Sequence, residues 1–164
     1  MNKIILYDIN KQLCDSWNKY FKDIKEVKVI NCSFKDLESE YVVTAGNSYG
    51  WMTGGIDLAV RDYYGQVIQD KIQQLILAQP KRCLDIGNSI IIYTGDDKKP
   101  YLIYAPTMDL PKEIDDLDIF YVFSKLLRTY DVDFACCGLG TCTGGLSYDV
   151  CAKTMYNAYR LVRG

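Results

Sequence analysis

The chain has 164 residues, 49% of them hydrophobic and 24% charged, with a net charge of −2. That length favours one domain, spanning residues 1–164, with a real core, and the near-neutral balance argues against general nucleic-acid or acidic-membrane binding. Histidine is absent, which rules out every Ser-His-Asp triad and Cys-His pair.

Lys3 to Tyr7 is a β-rich run ending at Asp8, and residues 10–22 follow helical spacing through Leu13, Trp17 and Phe21. Val27 to Ile30 reads as a second strand, so the β-α-β order predicts a parallel pair. Tyr41 to Ala45 is a third, buried strand. It runs into a loop carrying Gly46, Gly50, Gly54 and Gly55, and a helix follows from about Ile56 to Tyr64. The next helix shows Val67, Ile68, Ile72, Leu75 and Ile76 on one face and stops before Pro80. Ser89–Tyr93 and Tyr101–Ala105 are joined by a short polar turn, which predicts an antiparallel hairpin and a mixed sheet. Its Lys98-Lys99 pair, like Lys81-Arg82, reads as solvated loop charge. A helix over about 116–129 presents Leu117, Phe120, Tyr121, Ser124 and Leu127. A last strand, Val132 to Cys136, leads to a second glycine loop, Gly138 to Gly145. Ser147 is placed to cap a closing helix whose face is Cys151, Met155, Ala158 and Val162. The pattern is that of an α/β protein with three layers, α-β-α, around a mixed central sheet.

Seven cysteines show no C-x-x-C spacing, and several lie in apolar runs. Reduced core thiols are therefore expected, with no metal site and no cofactor. With no signal peptide and no apolar stretch of about 18 residues, no membrane association and a reducing, cytoplasmic compartment are expected.

The chemistry points to the glycine loops. Gly46-Asn47-Ser48-Tyr49-Gly50 fits the G-x-S-x-G elbow of serine hydrolases, but the missing base makes Ser48 a turn residue bonding its own backbone instead. Tyr49 and Trp51 either stack on a ligand or cover the loop, with packing the expected use of each. The second loop fails the G-x-G-x-x-G dinucleotide pattern because Thr143 stands where the third glycine belongs, and no Walker A sequence occurs. What remains is two strand-to-helix loops rich in glycine, where bare N–H groups surround an anion. Both lie at the carboxyl ends of strands, where open α/β sheets bind ligands. Two such loops flanking one crevice suit a diphosphate. Asn47 and Asp57, an amide and a carboxylate, suit vicinal hydroxyls. Asp57 also has a plainer role, complementing the dipole of the helix it begins.

The stretch from Val42 to Val60 resembles the ribose-binding loop of macro domains, and Gly138 to Met155 resembles that family's second phosphate loop and following helix. Ala45-Gly46-Asn47-Ser48-Tyr49-Gly50 and Ala105-Pro106-Thr107-Met108 are similar to sequences of divergent phage and microbial macro-like proteins. The resemblance implies a macro-type fold and a partner that is ADP-ribose or an ADP-ribosylated substrate. It implies Asn47 on the distal ribose and Asp57 as the acid near the anomeric carbon, the two forming the catalytic pair. Ser48, Gly54, Gly55 and Ile56 fall in the ribose loop, and Gly138, Gly140, Thr141, Cys142, Thr143, Gly144 and Gly145 in the diphosphate loop. Thr44 replaces the family's first asparagine. Asn31-Cys32-Ser33 lacks the acid that contacts adenine, leaving Asp8 as a substitute. The implied activity is hydrolysis of an ADP-ribosyl linkage or phosphate; the alternatives are a module that binds or sequesters an NAD-derived signal, and a scaffold whose pocket has drifted.

Overall fold

A computed structural model describes all residues, Met1–Gly164. The elements are β1 (Ile4–Asp8), α1 (Lys11–Phe21), β2 (Val27–Asn31), β3 (Tyr41–Asn47), α2 (Gly55–Tyr64), α3 (Gln66–Leu77), β4 (Ile90–Tyr93), β5 (Tyr101–Met108), α4 (Asp116–Thr129), β6 (Phe134–Cys136) and α5 (Tyr148–Arg163). The six strands form one sheet in the order β2-β1-β6-β3-β5-β4. All pairs are parallel except β4 with β5, so the sheet is mixed as the hairpin predicts. Helices α1, α4 and α5 pack together, while α2 and α3 pack beside β3 and β4. The result is the three-layer α/β architecture. No helix is long and apolar enough to cross a membrane.

The sheet order matters most for function. β6 pairs with β3, Val43 opposite Cys136, so the loops leaving these two strands are neighbours although remote in sequence. Each leaves from the carboxyl end, because the strands run parallel. β5 extends three residues beyond the sequence reading, through Pro106 to Met108. Pro106 cannot donate to a ladder, and the register with β3 slips there, at Gly46/Asn47. That slip turns the end of β3 out of the regular pleat.

The helix faces differ from the sequence reading in two places. In α4 the buried residues are Ile119, Val122, Phe123, Ser124, Leu126 and Leu127, whereas Leu117 and Tyr121 are exposed. In α3, Ile68, Gln69, Ile72 and Ile76 are buried, and Val67 and Leu75 face outward. Both helices contain more apolar residues than one stripe holds, so periodicity alone allows two neighbouring faces. Ser147 caps α5 as expected, its Oγ accepting from the Val150 N–H. Four of the thiols, on Cys14, Cys136, Cys137 and Cys151, are buried.

Lys99 corrects the reading of Lys98-Lys99 as solvated charge. Its side chain is fully buried. Nζ donates to the Leu37 carbonyl at 2.8 Å and lies 4.1 Å from the Tyr63 ring centroid and 4.9 Å from that of Phe34. Burial holds this ammonium below the usual lysine range. Two aromatic faces and carbonyl oxygens compensate for its lost hydration, and the contact pins the segment between β2 and β3.

Candidate functional site

A cleft of about 860 Å³ lies over the carboxyl ends of β1, β6 and β3. One wall is the start of α2 and the loop before it. The opposite wall is the loop from β6 to α5. The two walls approach closely: a Cβ added to Gly55 would lie 3.4 Å from Cys142, and one added to Gly54 would lie 3.9 Å from the Thr143 hydroxyl. Gly55 has φ +58, a left-handed conformation that glycine adopts without the Cβ penalty.

Main-chain donors dominate both walls. Gly54, the N-cap of α2, supplies no side-chain cap. The N–H groups from Thr53 to Asp57 find no protein acceptor, the first being Leu58, which donates to the Gly54 carbonyl. Across the cleft the N–H groups from Gly140 to Gly144 are equally unpaired. Leu146 and Gly145 fold that loop on itself, donating to the carbonyls of Gly140 and Cys142. Both runs line the cleft. Unpaired N–H groups in such curved segments, together with the positive end of a helix, form a receptor for negative charge. Lys35, at the far end, is the one cation on the lining, so the main chain rather than cationic side chains supplies the attraction.

Asp57 lies behind Gly46. Its Oδ1 accepts the Thr44 hydroxyl at 2.7 Å, and the residue is only 3% exposed. A Cβ on Gly46 would fall 2.2 Å from Asp57 Oδ2 and 2.3 Å from the Tyr104 hydroxyl. Gly46 is therefore glycine because a carboxyl and a phenol fill the space of its side chain. Burial pushes the Asp57 carboxyl up to about 8, and the Thr44 bond opposes only part of that rise. The group is mostly a neutral acid at pH 7.

Asn47 serves the loop itself. Its Oδ1 accepts from the Tyr49 and Trp51 N–H groups at 3.0 and 3.3 Å, and Nδ2 donates to the Trp51 carbonyl at 2.8 Å. Its main chain is clamped by Tyr104, whose hydroxyl accepts the Asn47 N–H and donates to its carbonyl. One carboxamide hydrogen is left, and Asn47 lines the cleft.

The remaining expected positions divide. Asp8, Gly54, Gly55, Ile56, Gly138, Gly140, Thr141, Cys142, Thr143 and Gly144 all line the cleft. Ser48 and Gly145 do not. Ser48 is buried, and both its N–H and its hydroxyl donate to the Met108 carbonyl at the end of β5; it ties two strands together rather than bonding its own turn. Gly145 is turned outward, its N–H spent on Cys142. Tyr49 and Trp51 stay 43% and 53% exposed, so neither is buried over the loop; Trp51 lines the cleft and Tyr49 does not. Asp8 is half-buried and raised by that burial, one oxygen accepting the Asn10 N–H at 2.8 Å. Tyr7, Asn10, Phe34 and Tyr63 also line the cleft. They escaped the sequence reading because they lie in ordinary apolar or polar runs with no motif around them.

The family model for the macro domain matches residues 43–155, which is more than half of the chain. The chain belongs to the macro domain family. The macrodomain of Mycobacterium tuberculosis DarG shares 20% identity with it, at a TM-score of 0.67 over 79% of this chain and 87% of that one. Thermosipho africanus DarTG, solved in complex with ADP-ribose, is 14% identical at a TM-score of 0.61, covering 96% of this macro domain and 50% of that chain. An uncharacterized protein of Aquifex aeolicus is 25% identical over 140 residues, 82% of this chain and 81% of its own. The solved neighbours confirm the fold that the sequence resemblance implies.

Proposed function

We propose that this macro domain binds ADP-ribose, or a related NAD-derived nucleotide, and hydrolyses an ADP-ribosyl linkage or phosphate from it. The observation that carries the reading is the pair of unpaired N–H runs, Thr53–Asp57 and Gly140–Gly144, facing one cleft. A diphosphate between them would satisfy donors that nothing else in the chain satisfies. Family membership supports the same ligand, as does the ADP-ribose bound to the Thermosipho protein.

In this reading the distal ribose lies against Gly46, Gly54 and Gly55, and the free carboxamide hydrogen of Asn47 donates to one of its hydroxyls. Asp57 orients or deprotonates a water for attack on the anomeric carbon. Its carboxyl titrates near 8, so the ionised, water-activating form accumulates as the pH rises through that value. The attacking water loses its proton to Asp57 as the bond from the anomeric carbon to the leaving group breaks. An ADP-ribosylated molecule in a cytoplasmic setting is the natural partner.

A second reading, binding without turnover, draws on the same geometry. Asp57 is buried and bonded to Thr44, and most of the Asn47 carboxamide is spent on its own loop. Calorimetric titration with ADP-ribose, followed by incubation of a mono-ADP-ribosylated protein with wild type and Asp57→Ala, separates the two. Binding with turnover that the substitution abolishes supports the hydrolase, and binding without release supports the reader. Failure to bind overturns both.

A further inference from the structure

Three unpaired side-chain polar atoms are sealed from solvent: Tyr7 Oη, Trp17 Nε1 and Ser124 Oγ. Asp57 Oδ2 is unpaired as well, since the Thr44 hydroxyl bonds the other oxygen, Oδ1. It is not among the sealed atoms, and Asp57 lines the cleft. Oδ2 therefore keeps an opening onto the cleft, although the residue as a whole is only 3% exposed. The two carboxyl oxygens are thus unequal. One is spent inside the protein, and the other faces the ligand's space.

Two residues of β3 make them so. Gly46 leaves room for Oδ2, because a side chain there would occupy the same place. Thr44, two residues earlier and on the same face of the strand, is fully buried. Its backbone is held between β6 and β5, with Tyr104 opposite. A β-branched side chain on such a strand has few rotamers, so its hydroxyl is a fixed donor, 2.7 Å from Oδ1. Because Oδ1 accepts from Thr44, the proton that Asp57 gains or loses is carried by Oδ2, on the cleft side. The titratable side chain packed beside this carboxyl is Tyr104, from β5. Burial holds that phenol well above the ordinary tyrosine range, so it stays neutral. Burial and the Thr44 bond alone set the proton affinity of Asp57.

We propose that Thr44 is a positioning residue for catalysis, its hydroxyl holding Oδ1 so that Oδ2 takes the proton of the attacking water. The inference rests on the hydrolase reading above. The water oxygen bonds the anomeric carbon and its proton passes to Oδ2. The leaving group departs with the electron pair of the broken bond and takes up a proton from solvent. The Thr44 bond also favours the ionised carboxyl against the effect of burial, so one contact both orients the base and keeps part of it charged near neutrality.

Thr44→Val keeps the shape and removes the hydroxyl, whereas Thr44→Ser keeps the hydroxyl; the two are compared in the intact chain. Release from a mono-ADP-ribosylated protein is followed against pH, ADP-ribose affinity by calorimetry, and folding by thermal unfolding. For Thr44→Val the expected result is turnover lowered about tenfold at pH 7, with the rise of activity displaced upward by about one pH unit, as for one lost hydrogen bond to a carboxylate. ADP-ribose affinity stays at the wild-type value, and Thr44→Ser restores turnover and pH profile. If Thr44→Val does not fold, Thr44→Ala is read in the same way. A wild-type pH profile in the variant without the hydroxyl overturns the inference and leaves the hydrolase reading standing. So does loss of ADP-ribose affinity in step with turnover, since Thr44 would then only shape the loop, and so does a Thr44→Ser protein as impaired as Thr44→Val. A wild type that binds ADP-ribose and releases nothing overturns the hydrolase reading and the inference together.

Discussion

The two glycine loops begin alike and end differently. Both leave the carboxyl ends of neighbouring parallel strands and lead into helices. The second delivers its chain to a helix closed by Ser147, and it folds on itself through Gly145 and Leu146. The first delivers its chain to a helix with no side-chain cap, over a buried carboxyl that occupies the place of a missing Cβ. The second loop is thus a self-supported rim, and the first is an open helix end held in place from beneath. Anion attraction is concentrated where the capping is missing.

The largest test of that contrast is Gly46→Val. Its side chain would collide with Asp57 and Tyr104, and overpacking of this kind costs about 1–3 kcal/mol or more. Urea unfolding should show the loss, and ligand binding should vanish with the displaced Asp57. A variant as stable as wild type would mean that the support beneath the first loop is dispensable.

Gly54→Asp is the sharper probe. Gly54 has extended backbone, φ −157, which any residue adopts, and the nearest atom to an added Cβ is 3.9 Å away. The new carboxylate would cap α2, raising stability by a few tenths of a kcal/mol, and would occupy the anion's place. ADP-ribose affinity measured by calorimetry should fall at least about tenfold, or about 1.4 kcal/mol. Undiminished affinity would remove the open helix end from the site.

Asp57 gives a pH signature. Its folded-state value, about 8, lies above that of an exposed carboxylate, so the folded state holds the proton more tightly than the unfolded chain. The associated stability is complete in the acid range, below the ordinary carboxylate value, and is lost as pH rises to about 8. Melting temperature should therefore climb as pH is lowered from 8 toward 5, and Asp57→Asn should flatten this dependence. The smallest effect belongs to the other loop. Ser147→Ala removes the α5 cap at a cost of about 1 kcal/mol, seen in denaturant midpoint, with ADP-ribose affinity untouched.

The order of the strands along the chain, both glycine loops and the cap at Ser147 were legible because each has a local cause: alternation, φ-permissive residues or a hydroxyl one turn ahead of the N–H it accepts from. The faces of α3 and α4 were not, because surplus apolar residues such as Val67 and Leu117 blur the stripe. Lys99 was misread since its partners, Leu37, Phe34 and Tyr63, are brought together only by tertiary folding. Asn47 and Asp57 were legible by position as residues of the cleft lining. Their internal bonds to Trp51 and Thr44 could not be read, because a sequence does not show where a short polar side chain spends its valence. Tyr7 carries no motif at all.

The pairing of Val43 with Cys136 joins halves of a receptor made by distant parts of the chain. No fragment ending before β6 can contain it, and a partly frayed sheet has only one jaw. A ligand held between the jaws therefore stabilises the fully assembled molecule and nothing less. Saturating ligand should slow amide exchange deep in the sheet, not only in the loops that touch it.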